Sequence, residues 1–167
     1  MPDSGREGGL PSLTGATHCP YGSSQLVGPE SRALLTPRLA AAFHRTEYEA
    51  AGAVSRIGHR SPAIDALLRG LGARQAVFVT AWNAWGRRRP RRWNERMQAR
   101  LREAVRRLAV AEGHGRGKGW SEAHLLIAVP PGRAAVIARR FRQLGIVVAT
   151  VRGRARLIAL APSLRRL

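Results

Sequence analysis

The chain has 167 residues, 44% of them hydrophobic, and a formal net charge of +19. That is the size of one ordinary domain with enough apolar content for a core, and no stretch approaches the roughly 18 consecutive apolar residues of a membrane span. The N-terminal stretch lacks the basic start and apolar run of a secretory signal, and Cys19 is alone, so the expectation is a cytoplasmic protein with no intramolecular disulfide and an incidental reduced thiol.

Met1 to Leu35 is rich in Gly, Ser, Pro and Thr without a hydrophobic period, which predicts a disordered extension before a single domain over 36–161 and a short basic tail over 162–167. Thr36 and Pro37 read as an N-cap and first-turn residue for a short helix through Phe43. Tyr48 to Ile57 is ambiguous. Ala50 to Ala53 could extend a helix, while Val54 and Ile57 favour a strand near Ala53 to Ile57. Ser61 and Pro62 open a second helix with Ile64, Leu67, Leu68 and Leu71 on one face, closed by Gly72.

Gln75 to Trp82 is a nearly continuous β-prone apolar run, hence a buried strand. A helix from Pro90 to Leu108 follows, with Trp93, Met97, Leu101, Val105 and Leu108 recurring every three or four residues and Arg on the other faces. Glu112 to Trp120, with four glycines, predicts a mobile loop. His124 to Val129 is then a second buried strand. A helix from Pro131 turns Ala134, Ile137, Ala138 and Phe141 inward, with Gly145 at the C′ position. Ile146 to Val151 and Arg156 to Leu160 close the chain as a hairpin turned by Gly153. Alternating strands and helices predict an α/β domain, with α+β as the alternative: a small mixed sheet packed by amphipathic helices, in which crossovers pair strands in parallel and the C-terminal hairpin adds an antiparallel edge.

Most motifs with a defined chemistry are missing. Gly113 to Gly119 has the wrong spacing for a Walker loop and precedes a strand, so it reads as a flexible connection. His18, His44, His59, His114 and His124 show no metal-ligand spacing, so neither metal nor cofactor is expected. No nucleophile elbow and no local carboxylate pair is present, which leaves the enzyme class open and the balance toward a noncatalytic protein. Asn83 at a strand end and Asn94 on the first turn of the next helix, with Arg87 and Arg88 between them, form a candidate ligand or anion site; local loop-capping hydrogen bonds are the simpler alternative. Glu122, Gln143 and Trp120 are candidates for a structural role or a second site at the opposite sheet edge, with Glu122 pairing an Arg.

These pieces also carry a resemblance. Ile57-Gly58 with Ser61-Pro62, Phe78-x-Thr80-Ala81-Trp82-Asn83, Asn94, Glu112-Gly113, Trp120-x-Glu122 and Arg140-Phe141-x-Gln143 resemble a bacterial family of proteins of unknown function, DUF3293, over about Phe43 to Leu160. Members usually have Pro after the Asn of the second motif, where this chain has Ala84. The resemblance implies a fold-sized unit and candidate residues, but no reaction.

Charge divides the chain unequally. Met1 to Ala84 carry 8 basic and 6 acidic residues, whereas Trp85 to Leu167 carry 21 basic and 4 acidic. Lys118 is the only lysine, so genome composition accounts for Arg in place of Lys but not for the shortage of acids. A one-sided basic surface attracts polyanions. The leading functional expectation is therefore an accessory protein that contacts nucleic acid or another polyanion through Arg92, Arg96, Arg100, Arg107, Arg139 and Arg140, with no membrane partner. The alternative is a small-ligand or enzymatic pocket around Asn83 and Asn94.

Overall fold

The computed structural model describes residues 35–160; the expectations for the N-terminal extension, Cys19 and the basic tail lie outside them. Helix α1 (Pro37–Arg45) starts as the sequence predicts, with the Thr36 hydroxyl accepting from Leu39 N at 3.2 Å. The ambiguous stretch forms a hairpin of β1 (Glu47–Ala50) and β2 (Ala53–Ser55). Its two-residue turn places Ala51 and Gly52 in left-handed conformations (φ 45° and 82°), which match the twist of the strands. Ile57 lies beyond β2 and makes an isolated parallel bridge to Ala155. Helix α2 (Pro62–Gly70) is capped by Ser61 and buries Ile64 and Leu68.

The rest of the chain runs through β3 (Gln75–Val79), α3 (Arg91–Val105), β4 (Val110–Gly117), β5 (Trp120–Ile127), α4 (Pro131–Arg140), β6 (Gly145–Thr150) and β7 (Arg156–Ala159). The strands form one sheet in the order β2-β1-β4-β5-β3-β6-β7, with every pairing between named strands antiparallel. The single α/β domain, its helix-covered sheet and its C-terminal hairpin agree with the sequence reading; the expected parallel pairings do not form. The stretch from Glu112 to Trp120 explains why. The stretch expected as a mobile loop is the paired end of β4 and β5, and this extra strand reverses the chain. Each crossover still returns to a strand running the same way, but one place further across the sheet: β5 lies between β3 and β4, and β3 lies between β5 and β6. The β3-α3-β4-β5-α4-β6 unit is thus a ferredoxin-like split βαβ arrangement.

Glycines permit the β4 pairing. Gly113, Gly115 and Gly117 alternate with His114 and Arg116, so one face of the strand is bare. A Cβ on Gly113 would lie 1.8 Å from the Glu49 carbonyl oxygen, and one on Gly117 would lie 2.3 Å from the Trp120 indole nitrogen. Gly145 likewise belongs to a strand rather than to a helix cap, because a Cβ there would press on Leu157 and Phe43 at 3.1 Å. The left-handed position after α4 falls to Arg142 (φ 58°) instead.

Two cores lie on opposite sides of the sheet. Leu101 and Val105 of α3, Ala134, Ala135 and Ala138 of α4 and its C-cap residue Phe141 pack on Val77, Val79, Leu125, Ile127, Ile146 and Val148. Ile64 and Leu68 of α2 pack with Tyr48, Ala76, Phe78, Leu126, Val147 and Ala149 on the other side. The inward face of α3 departs from the expected stripe, for it runs through Asn94, Gln98, Leu101 and Val105, while Trp93 and Met97 are half-buried at its flank. Two polar residues occupy core positions because their amides are bonded to the loop after β3.

Candidate functional site

In an antiparallel sheet the end of one strand lies beside the start of its neighbours. The β3–β5 register pairs Val79 with Leu125, and the β3–β6 register pairs Phe78 with Val147. Continuing both ladders past Val79 brings the loop after β3 alongside Glu122 on one side and Gln143 on the other. The two-edge arrangement, with Asn83 and Asn94 at one end and Glu122 and Gln143 at the other, is therefore wrong: all four meet at one end of the sheet.

The loop is built by side chains. Thr80 Oγ1 donates to Ala123 O at 2.7 Å and accepts from Trp82 N at 3.0 Å, while Gln98 Oε1 accepts from Ala81 N at 3.1 Å. Asn83 adopts a left-handed conformation (φ 50°, ψ 53°), which its short polar side chain tolerates. Trp85 is left-handed as well (φ 61°), a costlier state for an aromatic residue, and its N–H donates to Arg142 O at 2.8 Å. Asn94, 2% exposed, accepts from Asn83 N at 2.9 Å and donates to Arg89 O at 3.3 Å. Asn83 Oδ1 accepts from Arg89 N at 2.9 Å and from Asn94 Nδ2 at 3.1 Å. Gln143 Nε2 donates to Trp82 O at 2.9 Å, tying the α4–β6 connection to the same loop.

The remaining Asn83 donor, Nδ2, is given to Glu122 Oε1. This replaces the expected arginine partner, since Glu122 makes no ion pair with the described residues. Burial pushes the Glu122 carboxyl above its ordinary range, and the Asn83 hydrogen bond offsets only part of that effect. Tyr48 is held as a phenol by burial, with the nearby Glu122 charge acting the same way, and its hydroxyl donates to Phe43 O at 3.0 Å.

His124, which lies two residues along β5 from Glu122 and on the same face, was not read as a site residue. Its Nε2 donates to the Glu49 carbonyl at 2.6 Å, which means that the ring crosses β4 where Gly113 and Gly115 leave space. The ring meets Phe78 edge-on at 4.9 Å and stacks near Tyr48 at 6.1 Å. Burial pushes its pKa down to about 4, so the imidazole is neutral with Nδ1 as the acceptor. The period-two glycines were the available sequence signal for this crossing.

These groups line an open cleft of about 1160 Å³, bounded by Leu39 and Phe43 of α1, Tyr48, Trp82, Trp120 and Arg88. Asn83 and Asn94 shape its wall, Trp120 stands at the β4–β5 tip, and Arg87 is exposed nearby. Three buried donors of lining residues, Trp82 Nε1, Arg89 Nε and Gln98 Nε2, have no acceptor among the described residues. The site is thus rich in donors and holds one unpaired carboxyl. No three His, Cys, Asp or Glu side chains converge as a metal site among the described residues. Arg92, Arg96 and Arg100 lie away from the cleft on α3, Arg107 follows its end, and Arg139 and Arg140 occupy the last turn of α4; all six are exposed.

Fold and site together define an antiparallel α/β domain with a polar cleft at the end of β3. Residues 79–146 match the model of a family described as "Protein of unknown function (DUF3293)", which bears out the family resemblance over the segment from the end of β3 to the start of β6. Neither a curated protein nor a solved structure matches the chain.

Proposed function

We propose that the chain binds a small molecule bearing oxygen acceptors in this cleft and that Glu122 exchanges a proton with it. The observation that carries the reading is the Glu122 carboxyl itself: desolvated, raised in proton affinity, aimed by Asn83 and without a cation to neutralise it. Folding gains little from such a group, and carboxyls in this condition concentrate where proton transfer is needed. The exposed guanidinium of Arg88, which lines the same cleft, complements a carbonyl or anionic oxygen on the ligand. Asn83 and Asn94 position the carboxyl and the loop rather than react.

The test is a side-chain carbon NMR titration of Glu122, combined with a thermal-shift screen of small carboxylates, phosphates and amides against the wild type and Glu122→Gln. The expected result is a raised Glu122 pKa and compounds whose stabilisation is lost in the variant. An ordinary pKa, or hits that stabilise both proteins equally, overturns the reading.

A further inference from the structure

The helical layer opposite α2 has an outer surface of unusual composition. Arg92, Arg96 and Arg100 follow one another at four-residue spacing, a step of about 6 Å along the helix axis, on the side of α3 facing away from Asn94, Leu101 and Val105. All three are exposed, and none makes an ion pair with the described residues. The other arginines of this helix are engaged: Arg91 with Glu95 at 2.7 Å and Arg102 with Glu112 at 2.6 Å. Helix α4 packs beside α3 on the same core and has no acidic residue, and it turns Arg133 and Arg140 outward from Ala134 and Ala138. The sequence pattern of basic residues thus becomes, in three dimensions, a row on α3 with two further exposed cations on α4 of the same helical layer.

We infer that this face docks on the phosphate backbone of duplex nucleic acid, independently of sequence and separately from the cleft. Charge complementarity selects the partner. Unpaired guanidinium groups in a row match a linear array of phosphates, and their planar donors suit phosphate oxygens. A bilayer is a poorer match, because surface insertion needs an apolar ridge, and among the described residues Val136, at 58%, is the only exposed large hydrophobic on this layer. Among the described residues base stacking finds no exposed platform on the opposite sheet face either, since Phe78 and His124 there are buried. A flat pair of helices touches backbone rather than base edges, which makes the contact sequence-independent.

The test measures binding of the full chain to a random-sequence DNA duplex of about two helical turns from roughly 50 mM to 200 mM salt. It compares the wild type with Arg92→Gln/Arg96→Gln/Arg100→Gln and with a control of equal charge loss elsewhere, Arg45→Gln/Arg60→Gln/Arg69→Gln. Binding should weaken steeply with salt, and the first triple variant should reduce the log–log slope by about 2.7, or 0.9 for each lost phosphate contact. The control should keep nearly the wild-type slope. Equal losses in both variants, absence of duplex binding at the lowest salt, or tighter binding to phosphatidylserine vesicles through the same three arginines overturns the proposal. Glu122→Gln tests the cleft separately and should leave duplex binding unchanged.

Discussion

Protonating His124 should destabilise the fold, and the size of the effect follows from its surroundings. The ring is 5% exposed, it donates Nε2–H to Glu49 O, and the added charge would face His114 on one side and Glu49 on the other. Its pKa falls from 6.5 to about 4. The unfolded chain therefore takes up a proton on this residue well before the folded one, so the stabilisation is complete above the unfolded pKa and is lost as the pH drops toward 4. At about 1.4 kcal/mol for each factor of ten in proton affinity, the loss from neutral pH to pH 4 is about 3 kcal/mol. His124→Gln is the informative comparison, because a glutamine Nε2 can reach the same carbonyl without titrating. Losing the aromatic contacts should cost the variant about 1 kcal/mol at neutral pH. The two stability curves should then cross near about pH 6, and the variant should be the more stable by about 2 kcal/mol at pH 4. Urea unfolding of both proteins, followed by tryptophan fluorescence across this range, cancels the carboxylates they share. A stability difference that stays flat with pH would refute the assignment of His124 as buried and neutral.

Glu122 should show the opposite dependence. Its raised pKa gives stability that is present below the unfolded carboxylate value of about 4.3 and declines as the pH rises, so Glu122→Gln, which retains an acceptor for Asn83, should be at least as stable as the wild type at neutral pH by thermal denaturation; a clear drop would mark the carboxylate as structural. Gly113→Ala should cost about 3 kcal/mol or more, since the new methyl would displace the Glu49 carbonyl and with it the His124 hydrogen bond. Gly70→Ala meets no atom within 4 Å at the end of α2 and should instead gain about 0.5 to 1 kcal/mol; equal effects of the two alanines in denaturant melts would contradict the packing described. Leu101→Ala, fully buried between α3 and the sheet, should cost about 2 to 5 kcal/mol by the same measurement.

Local signals in the chain determined much of the secondary structure. Thr36-Pro37 and Ser61-Pro62 start helices because a hydroxyl acceptor and a fixed φ satisfy first-turn demands within a few residues. The run at Gln75 and the alternation of polar and apolar residues after Pro90 and Pro131 similarly named a strand and two helices. The same signals placed Asn83, Asn94, Glu122 and Gln143 next to buried elements, although not next to one another. What they could not decide was direction. A glycine-rich stretch reads as flexible on its own, because nothing local rewards an extended backbone without side chains. Only the presence of Glu49, His124 and Trp120 across neighbouring strands turns bare positions at Gly113, Gly115 and Gly117 into a requirement. Once that strand forms, the neighbours of β3 become antiparallel, and Glu122 and Gln143 move from the far edge of the sheet to the loop that Asn83 controls. Register is a long-range property: the hydrogen bonds that fix it join residues such as Asn83 and Glu122, 39 positions apart, and no pattern within either segment specifies the other.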